Sequence, residues 1–308
     1  MRKYSEPGSN IFQRFMQRNS GNVYLGLKRE VKAKILKRKL PRRLLCSFYP
    51  LREPDKWLFL VGCYNSGTTI LRDIISSHYL VSDLPAEGVK LTDAFPDLEV
   101  DGWPRMMFKN KSKWMMSEED GPLITKRAKK DWGIWWSREA SIFLEKSIDH
   151  STRIKWLSRN FPNAYFIYIV RNGYCVSEGV MRRARPVGQA AKEVGQTYPA
   201  LLAAQQWSAF CQHIESELDA LPNVYRIRYE DLMDYPEKYI LEIFRFLGLD
   251  LPTVAVDGST VRVNGKGFDL INQNVKSLSR LCESDKAIMS PTMDRDLTKY
   301  GYTVLHEK

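Results

Sequence analysis

Apolar residues recur along this chain in two alternating styles. Residues 57–61, WLFLV, are apolar at every position, as a strand covered on both faces of a sheet requires. Residues 164–170, AYFIYIV, repeat that style, bounded by Pro162 and Asn163 before and by Arg171-Asn172-Gly173 after. Elsewhere the apolar positions return at helical spacing: Ile70, Ile74 and Ile75 in residues 68–78, then Leu201, Leu202, Trp207, Phe210, Ile214 and Leu218 in residues 200–221. Residues 236–247 form another amphipathic helix, ended by Gly248. The pattern also predicts helices over 138–149 and 153–160, and one following the second strand through Arg183. The stretch NVYRIRYEDL reads as a third strand entering a loop.

Strands alternating with helices predict an α/β fold, a parallel sheet flanked by helices on both faces, with its sites at the C-terminal ends of the strands. Residues 80–131 are rich in Pro, Gly and charge without a period, and such stretches often carry substrate contacts. Residues 132–137, WGIWWS, are an aromatic cluster, suited to core packing or to stacking on a sugar. No internal repeat interrupts the chain. We read residues 55–308 as one domain, preceded by a polar, basic lead-in over residues 1–54 that has helical character.

Charge changes the picture next. A formal net charge of +11 points to anionic partners without choosing among nucleic acid, acidic lipid, acidic glycan and phosphorylated nucleotide. Much of the excess lies in residues 27–45, LKREVKAKILKRKLPRRLL, where basic and aliphatic residues interleave as in a helix lying on an anionic membrane; a solvated helix packed on the domain has the same pattern. No segment has the roughly 20 apolar residues of a spanning helix, and residues 1–20 lack the apolar core of a signal peptide. The expected location is cytoplasmic, with peripheral membrane contact through residues 27–45. The five cysteines are scattered, with neither a disulfide framework nor zinc spacing, so no metal site is expected.

The candidate chemistry begins where the first strand ends. Gly62-x4-Gly67-Thr68-Thr69 has Walker A spacing, but Thr68 stands where the lysine that reaches the β- and γ-phosphates belongs. What survives is a backbone anion site, N–H groups of a tight turn leading into a helix N-terminus, which suits one phosphate better than three. An ordinary βα turn with a helix cap remains the bland alternative.

Three stretches in order, GCYNSGTTILRDIISSH, FPNAYFIYIVRNGYCVS and VYRIRYEDLMDYPEKYILEIFRFLGLD, resemble the sulfotransferases that use 3′-phosphoadenosine 5′-phosphosulfate (PAPS), in the branch that includes bacterial, carbohydrate and protein-tyrosine enzymes. The resemblance runs over residues 57–250 and more faintly to Tyr302. It implies a P-loop-like sulfotransferase fold in which Ser66, Gly67, Thr68 and Thr69 cradle the 5′-phosphosulfate and Arg171 takes the 3′-phosphate. It also implies Tyr229 near the adenine and, in NQNVKSL, Lys276 on a loop that closes over the donor. Members carry a serine eight positions after the arginine; here that position is Gly179, and Ser177 is the nearest hydroxyl.

The resemblance further implies Glu87 as general base and Lys146 against the bridging oxygen of the donor; from the sequence itself, His78 and His150 are rival bases. Many members have Lys or Arg before Ser-Gly-Thr, whereas this chain has Asn65, an amide that donates to a sulfuryl oxygen without bringing charge. The implied activity is sulfuryl transfer from PAPS to a hydroxyl, with 3′-phosphoadenosine 5′-phosphate (PAP) as product and a carbohydrate or glycolipid as the expected acceptor, ahead of a peptide tyrosine or a small alcohol. Nucleic-acid binding has only the charge in its favour. An inactive nucleotide-binding or scaffold protein and, further off, a P-loop kinase are the competing readings.

Overall fold

The computed structural model describes residues 39–98 and 102–305. In chain order these form α1 (Lys39–Ser47), β1 (Lys56–Gly62), α2 (Thr68–Ile75), β2 (Val81–Asp83), α3 (Gly121–Gly133) and β3 (Ile142–Glu145). There follow α4 (Ile154–Asn160), β4 (Ala164–Val170), α5 (Gly173–Arg183), α6 (Gly188–Val194), α7 (Ala200–Leu218) and β5 (Val224–Arg228). The remainder is α8 (Tyr229–Asp234), α9 (Pro236–Leu247), β6 (Val254–Asp257), β7 (Thr260–Val263), β8 (Lys266–Asp269), α10 (Asn274–Leu278) and α11 (Glu283–Lys299).

Strands β1 to β5 make one sheet in the order β2-β3-β1-β4-β5, and every pair is parallel. Alternate residues of β1 enter two different cores. Trp57, Phe59 and Val61 face Trp132, Phe161, Phe166, Trp207 and Met293, under α3, α4, α7 and α11. Leu58 and Leu60 face Leu71, Ile74, Ile243 and Phe244, under α2 and α9. Two covered faces explain why β1 and β4 are apolar throughout. The expected α/β architecture with helices on both faces is therefore the fold.

The local chemistry accounts for the element ends. Gly248 closes α9 in the left-handed region, φ 65, where its N–H donates to the carbonyl of Arg245. Asn172 caps α5 by accepting from Tyr174 N at 3.1 Å. Helix α5 lies so close to α7 and α11 that a Cβ on Gly173 would sit 2.8 Å from both Trp207 Cε3 and Met293 Sδ.

Several expectations are corrected. Residues 138–149 hold no α-helix: they contain β3 and the start of a 3-10 turn, Ile148–Thr152. Glu145, which a helical reading places in solvent, is fully buried. Residues 80–131 include a strand, β2, and a helix, α3, among their loops. Residues 132–137 are core: Trp132 and Trp136 pack on Trp57, with ring centroids 6.2 and 6.1 Å away. A three-stranded antiparallel sheet, β6-β7-β8, was not visible in the pattern. Of the basic stretch 27–45, residues 27–38 lie outside the described residues. Its end forms α1, docked through the buried Arg42, which pairs with Asp93 at 3.2 Å and Asp131 at 3.5 Å.

Candidate functional site

Each strand of the parallel sheet delivers its chemistry just past its C-terminal end, as expected for such sheets. From β1 comes the loop 63–67, pinned by Ser151, whose hydroxyl accepts from Gly62 N at 2.9 Å and donates to Gly62 O at 3.1 Å. A Cβ on Gly62 would lie 2.5 Å from the carbonyl oxygen of Ile169, so β1 and β4 meet here without room for a side chain. Asn65 and Gly67 are both left-handed, φ 64 and 99. At Gly67 a Cβ would meet Tyr229 Cδ2 at 2.7 Å, so the loop and the Tyr229 ring are in direct contact. Thr68 and Thr69 open α2, and both line the cleft.

From β4 comes Arg171, which is held on all sides. Its Nε donates to Asn274 Oδ1 and its Nη1 to the carbonyl of Asn65, both at 2.8 Å. Its guanidinium stacks 4.4 Å from the centroid of Tyr229, the first residue after β5. Trp207 Nε1 donates to the Arg171 carbonyl at 3.1 Å. Only Nη2 is left buried without a partner, as are Ser66 Oγ and Asn65 Nδ2 in the loop beside it. Buried donors of this kind are costly unless something accepts from them. Tyr229 itself is clamped: its hydroxyl donates to Ile271 O and accepts from Gln273 N, both at 3.1 Å. Burial raises its pKa and keeps it a phenol.

The segment after β8 is tied to this arginine by Asn274 rather than by Lys276. Asn274 Nδ2 donates to Glu230 Oε1 at 2.6 Å, and Glu230 also accepts from Asn172 N at 3.1 Å and Tyr302 OH at 2.7 Å. Lys276 is exposed and lines the cleft.

The other half of the site comes from β2 and β3. Glu87, shortly after β2, accepts from Lys146 Nζ at 2.9 Å on Oε1 and pairs with Lys90 at 2.6 Å on Oε2. Burial alone pushes its carboxyl up, but the Lys146 charge and the bonds from Lys90 and Lys146 outweigh that and hold it below the usual range. Lys146 follows β3 directly. Beneath them, Glu145 accepts from Gly88 N at 2.6 Å and Ser147 N at 3.1 Å, and is bonded to Ser147 Oγ. Burial pushes Glu145 up to about 7, against the bonds from Ser147 and Gly88. Its Oε2 lies 3.2 Å from His150 Nε2, and burial lowers His150 well below an ordinary imidazole. Burial thus disfavours the charged form of both groups, and the ring nitrogens of His150 are left without a hydrogen-bond partner.

A cleft of 1520 Å³ joins the two halves, lined by Asn65, Gly67, Thr68, Thr69, Glu87, Lys146, Arg171, Tyr229 and Lys276. Ser66, between the lining residues Asn65 and Gly67, is fully buried and does not itself line the cleft. Ser177 is also fully buried, its hydroxyl lies 3.9 Å from Met293 Sδ, and it does not line the cleft, where Ser277 does. Of the rival bases, His78 is buried, its Nδ1 accepts from Leu80 N at 3.2 Å, and it faces Phe244. His150 is enclosed by Phe59, Phe95 and Trp132. Neither lines the cleft. Cys63 is buried, its thiol pushed well up by its bond with Cys211 and by burial, which makes it inert.

Sequence reasoning missed Glu145, Asn274, Glu230, Arg105 and Arg183. Asn274 and Glu230 sit within quoted motifs, where a polar residue adjoining a site residue was the available signal. Arg105 and Arg183 had none.

A parallel sheet whose β1 runs into a glycine loop without a lysine, with Arg171 just past the neighbouring β4, is a P-loop-like α/β architecture. The chain belongs to the sulfotransferase family, which matches residues 58–253. Among solved structures, a sulfotransferase from Mycobacterium avium is 13% identical, with 93% of this chain and 88% of that chain covered and a TM-score of 0.53. One from Alicyclobacillus acidocaldarius is 15% identical over 82% and 97% of the two chains, TM-score 0.48. A mouse sulfotransferase complexed with PAP is 14% identical over 83% and 92%, TM-score 0.41. No curated protein sequence matches the chain.

Proposed function

We propose that this protein transfers a sulfuryl group from PAPS to a hydroxyl of a carbohydrate or glycolipid. The observation that carries the donor is the set of buried donors without partners, Ser66 Oγ and Arg171 Nη2, around a loop that has no lysine. PAPS bears a phosphate at each end of its ribose and no γ-phosphate, so it matches two separate anion sites. In this reading Ser66, Gly67, Thr68 and Thr69 hold the 5′-phosphosulfate, Arg171 holds the 3′-phosphate, and Tyr229 and Lys276 flank the nucleotide. Ser177 has no part in it.

The residues of the other half supply the chemistry. Glu87 is ionised and accepts the acceptor's hydroxyl proton, while Lys146 faces the leaving phosphate. Their ion pair couples the two tasks. Once Lys146 turns its charge toward the donor's anion, the influence that depresses Glu87 weakens, and Glu87 becomes the stronger base it needs to be.

The cleft exceeds the about 300–1,000 Å³ of ordinary small-molecule pockets, leaving room for an acceptor beside the nucleotide. Arg182, Lys90 and Lys266 are among its lining, which supports an acceptor with anionic or polar groups. The aromatic cluster 132–137 gives no support for a sugar platform, because it is core. We place the enzyme in the cytoplasm. Among the described residues no helix is long and apolar enough to cross a membrane. Peripheral contact is supported by α1, whose docked face carries Arg42 while Leu44 is 66% and nearby Phe48 79% exposed. Liposome sedimentation tests this part: equal binding to anionic and neutral vesicles, or after deletion of residues 1–45, removes it.

The competing reading, an inactive nucleotide-binding protein, is favoured by Asn65 alone. Calorimetry with PAP and ATP tests the assignment. Tight PAP binding, its loss in Arg171→Ala and indifference to ATP support the donor; turnover of labelled PAPS in an acceptor screen then separates enzyme from scaffold. Preference for ATP overturns the donor assignment.

A further inference from the structure

The phosphate loop, Cys63-Tyr64-Asn65-Ser66-Gly67 and the two threonines after it, contains no charged side chain. Charge nevertheless reaches it from two distant segments. Arg105 Nη1 and Arg183 Nη1 both donate to Asn65 Oδ1, each at 3.3 Å. Arg183 comes from the last turn of α5. Arg105 also lies over the Tyr64 ring, 5.3 Å from its centroid.

The segment that carries Arg105 is a built arch. Gly102 and Arg105 are both left-handed, φ 80 and 62, a conformation that an arginine adopts only where its surroundings enforce it. The enforcement is visible. Trp103 stacks on Tyr198, with centroids 5.9 Å apart and planes within 7°. The Tyr198 hydroxyl donates to Pro104 O, and Val187 N donates to Gly102 O, both at 3.0 Å. Trp103, Met106 and Tyr198 form a small core of their own with residues of α5, α6 and α7.

On its far side the Asn65 amide rests against α5, where a Cβ on Gly179 would lie 2.7 Å from Nδ2. The amide is therefore wedged between the helix and two guanidiniums. Both guanidiniums line the cleft, so two positive charges converge at the mouth of a loop that carries none, a corner suited to an anion.

We propose that Arg105 and Arg183 clamp the sulfuryl end of the donor, with Asn65 as their spacer, supplying from outside the loop the charge that the loop lacks. This rests on the PAPS reading above. As the acceptor oxygen bonds to sulfur, the bond from sulfur to the bridging oxygen breaks. Its electron pair leaves on PAP, and the acceptor's proton passes to Glu87. The arginines hold the sulfuryl oxygens throughout.

PAP is the donor without its sulfuryl group, so comparison of the two nucleotides isolates this contact. Calorimetry on the full chain compares PAPS and PAP for wild type, Arg105→Ala, Arg183→Ala, the double variant, and the double variant carrying Asn65→Lys. Arg105→Lys, which keeps the charge, guards against damage to the arch. The expected result is a loss of at least tenfold in PAPS affinity in the double variant, less than threefold for PAP, and recovery of most of the loss with Asn65→Lys. Equal losses for both nucleotides, or no loss for either, overturn the clamp while leaving the donor assignment standing. Wild type that binds neither nucleotide fells the donor assignment itself.

Discussion

At the scale of single residues, Glu87 and Lys146 set the pH behaviour expected of the reaction. Because Lys146 and Lys90 hold Glu87 below the ordinary carboxylate range, it stays ionised on the acid side of 4.5, and kcat/KM should persist there before falling. Lys146→Met removes the partner that lowers Glu87. The acid limb should then move to higher pH while kcat falls. An unmoved limb would mean that Glu87 is not the titrating group. Glu87→Gln should lower kcat by about 10²–10⁴-fold with little change in PAP affinity, since the carboxylate stands on the acceptor half. Arg171→Ala should weaken PAP binding by about 10–100-fold, in keeping with charge-assisted bonds worth ~1.5–3 kcal/mol. Arg171 could be singled out because it stands just past β4, a strand the pattern shows, whereas Glu87 and Lys146 follow β2 and β3, which it does not show, and rested on the family resemblance alone. Glu145 was not legible, since a glutamate followed by a lysine reads as solvated surface, whereas here it anchors Gly88 from inside the core.

At the scale of elements, legibility followed the number of buried faces. Strands β1 and β4 are covered on both sides and announce themselves as unbroken apolar runs. Strand β2 has three residues and β3 four, too few to display a period, and the charged pair at the end of β3 imitated a helix face. Helix α11 buries Met289, Met293 and Leu297 as a single narrow stripe and contains Pro291, so its signal was thin. Helix α10 shows what such unannounced elements do. Its first residue, Asn274, spans Arg171 and Glu230, and Asn274→Ala should cost PAP affinity about tenfold, the worth of a hydrogen bond or two to charged groups. Amide exchange across residues 272–278 should quicken in the same variant. Unchanged exchange would show that the segment is held by packing instead. Gly67→Ala is expected to be severe, since it meets both a left-handed backbone and the Tyr229 ring.

At the scale of the whole molecule, the buried Glu145–His150 pair ties stability to pH in two opposing ways. Between 4.5 and about 7 the folded chain keeps a proton on Glu145 that the unfolded chain releases, so this contribution falls as pH rises through that window. His150 stays neutral when folded but takes a proton when unfolded below 6.5, so its contribution falls as pH drops. The groups facing the ring are Glu145 and Arg153, among the rings of Phe59, Phe95 and Trp132. Below 6.5 the two effects offset each other; above it Glu145 acts alone. Of its full cost at high pH, about 3 kcal/mol for 2.5 pKa units, the portion not yet incurred at 6.5 should appear as a fall in stability toward pH 8. Glu145→Gln should flatten that fall in denaturant titrations; an identical slope would place the proton elsewhere.

The strand order also separates two kinds of heredity. Running across β2-β3-β1-β4-β5, the sheet places Glu87 and Lys146 at one end, the phosphate loop in the middle, and Arg171 and Tyr229 at the other. In the function proposed above, the half that meets the acceptor thus shares with the donor's half little beyond Lys146. New acceptors are then reachable by exchanging the loops after β2 and β3 alone, as a workshop changes the jig and keeps the motor. A chimera that borrows those loops from a relative should bind PAP as before while sulfating something else.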